Sequence, residues 1–354
     1  MAGLVAAARL RELGRKAVVL EKGDRPGGSM LLSSCVVWRF REWDDFRAEC
    51  PGGDERLQRV VWERLDEAIA WLESLGAPVV WQETGNPRTV GKRFDPRGLT
   101  DVLVRAAGEL RLSTSHNVLP REDEPVVLCT GGFQGSAELV AEHIRPAGRL
   151  RLRANRWSAG DGLRIGLTRG ATRSAGMDEF YGRNMPDTDF SEADFVPQAQ
   201  LYGRFARVFN EDGEEFFEGR VSWSENDLVQ ATARQPSARA WYVLDDAALA
   251  ERVRDRTVAD MVAAAPSSAK LEPERLPFCV QAEARIAVRI APGITHTIGG
   301  LRIDERACVL GEGGRRVEGL LAAGADVGGI STGGYASGLA AALVFGRIAA
   351  ESAA

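Results

Sequence analysis

Residues 1–30 read MAGLVAAARLRELGRKAVVLEKGDRPGGSM. After Gly3, the apolar residues Leu4, Val5, Ala6, Ala7, Ala8 and Leu10 suit a helix lying on a sheet. Gly14 offers the left-handed conformation that stops such a helix. Ala17 to Leu20 predicts a short buried strand, and Glu21 stands at its end. A dinucleotide-binding βαβ unit places an acid about 20 residues beyond its glycine loop, where it accepts hydrogen bonds from ribose hydroxyls. The helix, the second strand and the acid are all present. Met1 stands where the middle of G-x-G-x-x-G belongs, so only Gly3, the glycine for helix–strand packing, represents that loop. The stretch predicts a Rossmann-like unit read from inside its fingerprint, with the first strand missing.

The rest of the chain is consistent with a two-domain protein. Its 354 residues suffice for a large core. Apolar residues form 44% and charged residues 27%, an ordinary soluble balance. A net charge of −5 gives no electrostatic case for nucleic acid or an anionic membrane. Cys35, Cys50, Cys129, Cys279 and Cys308 are scattered with no C-x-x-C pair, which argues for a reducing compartment and against a disulfide framework or zinc site. Three histidines argue against a His-rich metal site, so no metal is expected. No apolar run reaches the roughly 18–20 residues of a membrane span, and no signal peptide is visible. A cytoplasmic protein is expected.

Residues 54–75 carry helical spacing at Leu57, Val60, Val61, Leu65, Ile69 and Leu72, and 96–111 predicts another helix with Pro96 near its start. Residues 112–125 are polar and turn-like. VVLCTGGF (126–133) predicts a buried strand ending in two glycines. Residues 176–275 change character, with more aromatics and a turn signal, NEDG (210–213), between strand-like runs. Glycine-rich α/β texture returns later, and a helix over 338–350 closes the sequence. The layout predicts an α/β fold, a Rossmann-like cofactor-binding domain in two segments (1–175 and 276–354) with an inserted α+β capping domain (176–275).

Five stretches occur in order: 2–30 as quoted, VVLCTGGFQG (126–135), WSAGDGLRIGLTRGA (157–171), THTIGGLRID (295–304) and GLLAAGADVGGISTGGYASGLAAALVFGRIAA (319–350). Together they resemble the flavoprotein family of fumarate reductases, succinate dehydrogenase flavoprotein subunits, 3-ketosteroid dehydrogenases and tricarballylate dehydrogenase, with the tricarballylate-dehydrogenase-like branch closest in tone. The resemblance covers nearly the whole chain and implies FAD. Glu21 and Lys22 would lie at the adenosine ribose, and Gly3 at the helix–strand contact. Gly27 and Gly28 would admit the diphosphate where a Cβ would clash, and Ser29 would bond to the cofactor. Thr130, Gly131 and Gly132 would form the turn near the adenine, and Asp161 would hold the loop or cofactor. Asp326 is the carboxylate on offer to the ribityl chain, one position displaced from the family's usual Gly-Glu. Ser337, Gly338 and Leu339 would begin a helix whose positive end stabilises reduced flavin. No histidine follows Gly27-Gly28, so noncovalent FAD is expected.

On the substrate side the chain departs from the fumarate reductases. Leu249 stands where a catalytic arginine is expected, with Arg252 nearby, and Tyr335 replaces a second arginine. A four-carbon dicarboxylate needs paired cationic forks, so fumarate or succinate is not the expected substrate. Tyr335 resembles the tyrosine by which ketosteroid dehydrogenases polarise a carbonyl. His296 matches the fumarate reductases' substrate-site histidine. Tyr181 and Arg183, in EFYGRNMP (179–186), are placed on a loop entering the inserted domain. The resemblance implies oxidation or reduction of a CH–CH bond beside a carbonyl or carboxylate, with hydride passing through flavin N5. The catalytic candidates are Tyr335, His296, Tyr181 and Arg183, acting on a small-molecule substrate with an unassigned electron partner. A truncated, non-catalytic remnant and an NAD-dependent dehydrogenase are the alternatives.

Overall fold

The first helix, Ala2–Glu12, stops where glycine permits it. In the computed structural model Gly14 adopts φ 74° and Arg15 N bonds Leu10 O at 2.9 Å. The structure describes residues 1–114, 124–144, 150–217, 219–235, 237–280 and 283–354, so most of the turn-like stretch 112–125 lies outside the described residues. The chain divides into two units: 1–139, 155–179 and 296–354 form the first, and 140–154 with 180–295 the second.

In the first unit the helix Glu55–Ser74 is capped by Asp54, whose carboxylate accepts from Arg56 N and Leu57 N. Asp95 caps the helix Pro96–Ala107 in the same way, accepting from Gly98 N at 2.6 Å. Gly108, at φ 87°, ends that helix four residues before the sequence pattern suggests. Residues Glu109–Arg111 instead form a strand parallel to Val18–Leu20. That strand is not the buried one predicted: Val18 and Leu20 are exposed, because among the described residues it pairs on one side only and its alternation turns both outward. A three-stranded sheet pairs Arg316–Ala322 with Cys308–Leu310 and, in parallel, with Val126–Leu128. Val36–Phe40, Thr89–Phe94 and Val79–Trp81 make an antiparallel sheet. The last helix, Gly338–Ala353, is mostly apolar and buried along most of its length, with Arg347 paired to Glu67 at 2.8 Å. It packs against Ala2–Glu12 at a glycine: a Cβ on Gly346 would lie 2.9 Å from Ala2 O.

The second unit is built on a six-stranded sheet in which the long strand Ile286–Thr297 pairs with Lys270–Leu271, Ala240–Leu244, Phe180–Pro186 and Arg151–Leu152. Arg207–Phe209 extends the sheet beyond Ala240–Leu244. The NEDG signal is a turn, as the sequence suggests. Asn210 Oδ1 accepts from Asp212 N and Glu214 N, Gly213 takes φ 81°, and Phe209 bridges Glu215. These pairings move the boundaries read from composition. Residues 276–295 belong with the second unit through Ile286–Thr297, and 140–154 join it because Arg151–Leu152 pairs with Gly293 and Ile294. Tyr202, Leu228, Tyr242, Met261, Val288 and Ile290 share its core. One buried carboxylate, Asp187, meets Arg151 at 2.5 Å and Arg289 at 3.4 Å on two of its strands, and Arg239, just before Ala240–Leu244, at 2.7 Å.

Candidate functional site

All fourteen residues expected at the cofactor fall in the first unit, although they come from both ends of the chain. Gly3 lies where the first helix meets the segment after Val126–Leu128; a Cβ there would sit 3.3 Å from Cys129 Cβ. Glu21 folds back so that Oε1 accepts from Gly23 N at 2.7 Å, which leaves its other oxygen for a partner. Gly27 and Gly28 take φ 103° and 53°, and a Cβ on Gly27 would meet Thr100 and Leu31 at 3.0 Å. This is backbone that only glycine adopts readily, and at Gly27 the packing of Thr100 and Leu31 leaves no room for a side chain. Ser29 Oγ accepts from Asn155 N at 3.2 Å, holding the turn to the segment that enters the helix Asp161–Thr168.

Two expectations change here. Lys22 and Asp161 are partners of each other, Nζ to Oδ2 at 2.8 Å. Asp326 does not present its carboxylate to an open face. It is 1% exposed and accepts from Thr130 N, from Thr130 Oγ1 at 2.9 Å and from Gly132 N at 3.2 Å. Thr130 Oγ1 in turn accepts from Gly162 N at 2.9 Å. Asp326 therefore ties the Thr130-Gly131-Gly132 turn to the start of Asp161–Thr168, a structural task in place of the expected ribityl contact. Burial raises its pKa despite the backbone and hydroxyl bonds that favour the anion.

Ser337 caps the last helix, its Oγ accepting from Ala340 N at 3.3 Å. Gly338 and Leu339 open the first turn, against which His296 is placed: a Cβ on Gly338 would sit 3.0 Å from His296 Nε2. Desolvation lowers the His296 pKa more than its bond to Thr297 raises it, which favours the neutral ring. Its Nδ1 lies 3.0 Å from the Thr297 carbonyl, which can only accept; this assigns the proton to Nδ1 and the lone pair to Nε2. Tyr335 is 6.0 Å from His296 between ring centroids and 5.9 Å from Trp38, which contacts Phe40 at 5.2 Å. Trp38 was not singled out from sequence; its alternation in VVWRF was the available signal.

The other two catalytic candidates lie in the second unit. EFYGRNMP is not the loop expected from sequence, since Phe180–Pro186 is a strand buried at every residue. Arg183 Nη1 donates to Ser224 O, and its guanidinium lies 5.0 Å from the Tyr181 ring centroid. Arg252, the arginine nearest Leu249, is exposed and donates to Asp255 O at 3.2 Å. Among the described residues no group of acids, histidines and cysteines could hold a metal ion. No helix there is long and apolar enough to cross a membrane.

Left-handed glycine turns and a capped helix N-terminus, on parallel strands with helices against them, define an α/β dinucleotide-cofactor protein. A family model described as FAD binding domain matches residues 1–121 and 104–339. The chain belongs to that family. It is 24% identical over 439 aligned residues to the probable fumarate reductase Ifc3 of Shewanella frigidimarina (strain NCIMB 400), covering 100% of this chain and 73% of that protein. Its fold is similar to the open conformation of a flavocytochrome c3 fumarate reductase, with TM-score 0.72 and 21% identity, covering 99% of this chain and 76% of that one. It is also similar to a 3-ketosteroid Δ1-dehydrogenase from Sterolibacterium denitrificans, with TM-score 0.73 and 16% identity, covering 99% and 97%.

Proposed function

We propose that this FAD-dependent oxidoreductase oxidises a CH–CH bond beside a carbonyl or carboxylate, or reduces the corresponding alkene, with FAD held noncovalently in the first unit. The observation that carries the reading is the meeting of Tyr335 and His296 at the first turn of Gly338–Ala353. Gly27 and Gly28 fit the diphosphate, the remaining Glu21 oxygen fits the ribose, and the N–H groups after Ser337 fit a flavin edge that gains negative charge. FAD bound there supplies flavin N5 as the hydride acceptor or donor. The Tyr335 hydroxyl donates to the substrate oxygen, and the His296 Nε2 lone pair suits it to accept a proton. Trp38, edge-on to Tyr335, gives this side an aromatic neighbour, which fits an enone or enoate better than a highly charged dicarboxylate. A nicotinamide cofactor fits less well, because the family resemblance puts an isoalloxazine at a helix end such as that of Ser337.

The purified protein, mixed with FAD and desalted, should retain one yellow chromophore that acid releases intact. Glu21→Gln should fold normally, since an amide oxygen can still accept from Gly23 N. It should bind FAD about ten-fold more weakly, because a neutral amide accepts hydroxyl bonds less strongly than a carboxylate. Fluorescence titration measures this. Equal affinity would leave Glu21 with the Gly23 turn as its whole task.

A further inference from the structure

Gln58 lies in the first turn of Glu55–Ser74 and is 0% exposed. Its Nε2 donates to Cys50 O at 2.9 Å and to Ile330 O at 2.8 Å, and its Oε1 accepts from Arg47 Nη1. Burying an amide is unfavourable unless its donors and acceptor are matched, and here both donors and the acceptor are. One of these bonds reaches 272 residues along the chain, to the segment that carries Tyr335. Backbone bonds run beside it. Gly52 N donates to Thr332 O at 3.1 Å, and Asp54 N to Gly329 O at 2.8 Å. The two segments approach so closely that a Cβ at Gly53 would overlap Gln58 Nε2 and Ile330 O, and one at Gly334 would overlap Glu49 O. Residues 47–58 thus hold the carbonyls of Gly329, Ile330 and Thr332. The turn that follows, closed by Gly334 N on Ser331 O at 3.0 Å, leads directly into Tyr335. Glu179 accepts from Gly333 N in the same turn at 2.7 Å. None of these bonds involves His296, and all the residues belong to the first unit.

We propose that Gln58 is a positioning residue, which sets where the Tyr335 hydroxyl stands relative to His296 by locking residues 329–334 to residues 47–58. This rests on the role given to Tyr335 above and adds the group that keeps it in place. A donor acts on developing charge only when its position is fixed beforehand. The chain has four tyrosines: Tyr335 lies in the first unit, and Tyr181, Tyr202 and Tyr242 in the second. Incorporation of 3-fluorotyrosine therefore gives four fluorine signals by NMR. Tyr335→Phe identifies the one from Tyr335, and the other three report whether the protein is folded. Gln58→Met keeps the length of the side chain and removes both donors. Gln58→Glu also removes them as the anion, but keeps an acceptor for Arg47. In each variant the Tyr335 signal should shift or broaden while the other three stay in place. In the FAD-loaded, reduced protein mixed with 2-cyclohexenone, each should lower the maximal single-turnover rate about 10- to 100-fold. The half-saturating concentration and the affinity for FAD should change little.

A Tyr335 signal unmoved in both variants would overturn the proposal. So would a displaced signal with the rate undiminished, because the position set by Gln58 would then not matter to the reaction. If Gln58→Met does not fold, Gln58→Glu decides; collapse of all four signals in both would make Gln58 a structural residue and end the proposal. Wild type that holds no FAD, or holds it and leaves 2-cyclohexenone unreduced, would count against the oxidoreductase reading instead. The fluorine signals of the FAD-free protein would still judge Gln58.

Discussion

Tyr335→Phe is expected to slow the substrate-dependent step by about 10²–10⁴-fold while FAD binding and stability hardly change. Phenylalanine has the same ring, so the contacts with His296 and Trp38 at 6.0 and 5.9 Å persist. The change in stability should stay within about 1 kcal/mol, as for a substitution that leaves packing in place. What is lost is the hydroxyl that donates to the substrate oxygen as charge develops on it. Single-turnover flavin reduction by a saturated substrate, or reoxidation by an enone or enoate, isolates that step. A hydride step unchanged in Tyr335→Phe but abolished in His296→Ala would move the acid role to His296. Normal rates in both variants would place the chemistry elsewhere.

Asp326→Asn is expected to destabilise the first unit by about 1–3 kcal/mol. The carboxylate accepts from Thr130 N, Thr130 Oγ1 and Gly132 N, all within a buried turn. An amide keeps one acceptor and brings two donors that face other donors. At least one buried N–H then loses its partner, at about 1–3 kcal/mol. The pH dependence follows from the raised pKa of Asp326. A carboxyl that holds its proton more tightly folded than unfolded adds stability that is complete below its unfolded pKa and lost as pH rises through the folded value. The difference in stability between wild type and Asp326→Asn should therefore widen as the pH falls towards 4. Denaturant melts of both proteins across that range provide the measurement.

The sequence carried the local rules further than the placement of polar side chains. Gly14, Asp54, Asp95 and the Asn210 turn could be read from residue type because each acts within a few residues of its own position. The direction of Asp326 could not, since it depends on the Thr130 turn nearly 200 residues away. Lys22 and Asp161 were each legible as polar groups near a cofactor, but their mutual bond spans 139 residues of sequence. The exposed Val18 and Leu20 show the same limit: an apolar triplet predicts a strand, while its burial depends on what pairs and packs beside it. EFYGRNMP looked like a loop because Gly182, Asn184 and Pro186 are turn formers. Pairing with Ile286–Thr297 overrides that propensity and buries the strand.

The most direct measurement of the central claim is anaerobic mixing of the FAD-loaded, dithionite-reduced protein with an excess of an enone or enoate. The flavin should reoxidise in a single turnover, with one saturated product formed per flavin and the spectrum of oxidised FAD restored. Reduced flavin that persists against both substrate types, or a protein that holds no flavin after mixing and desalting, would contradict it.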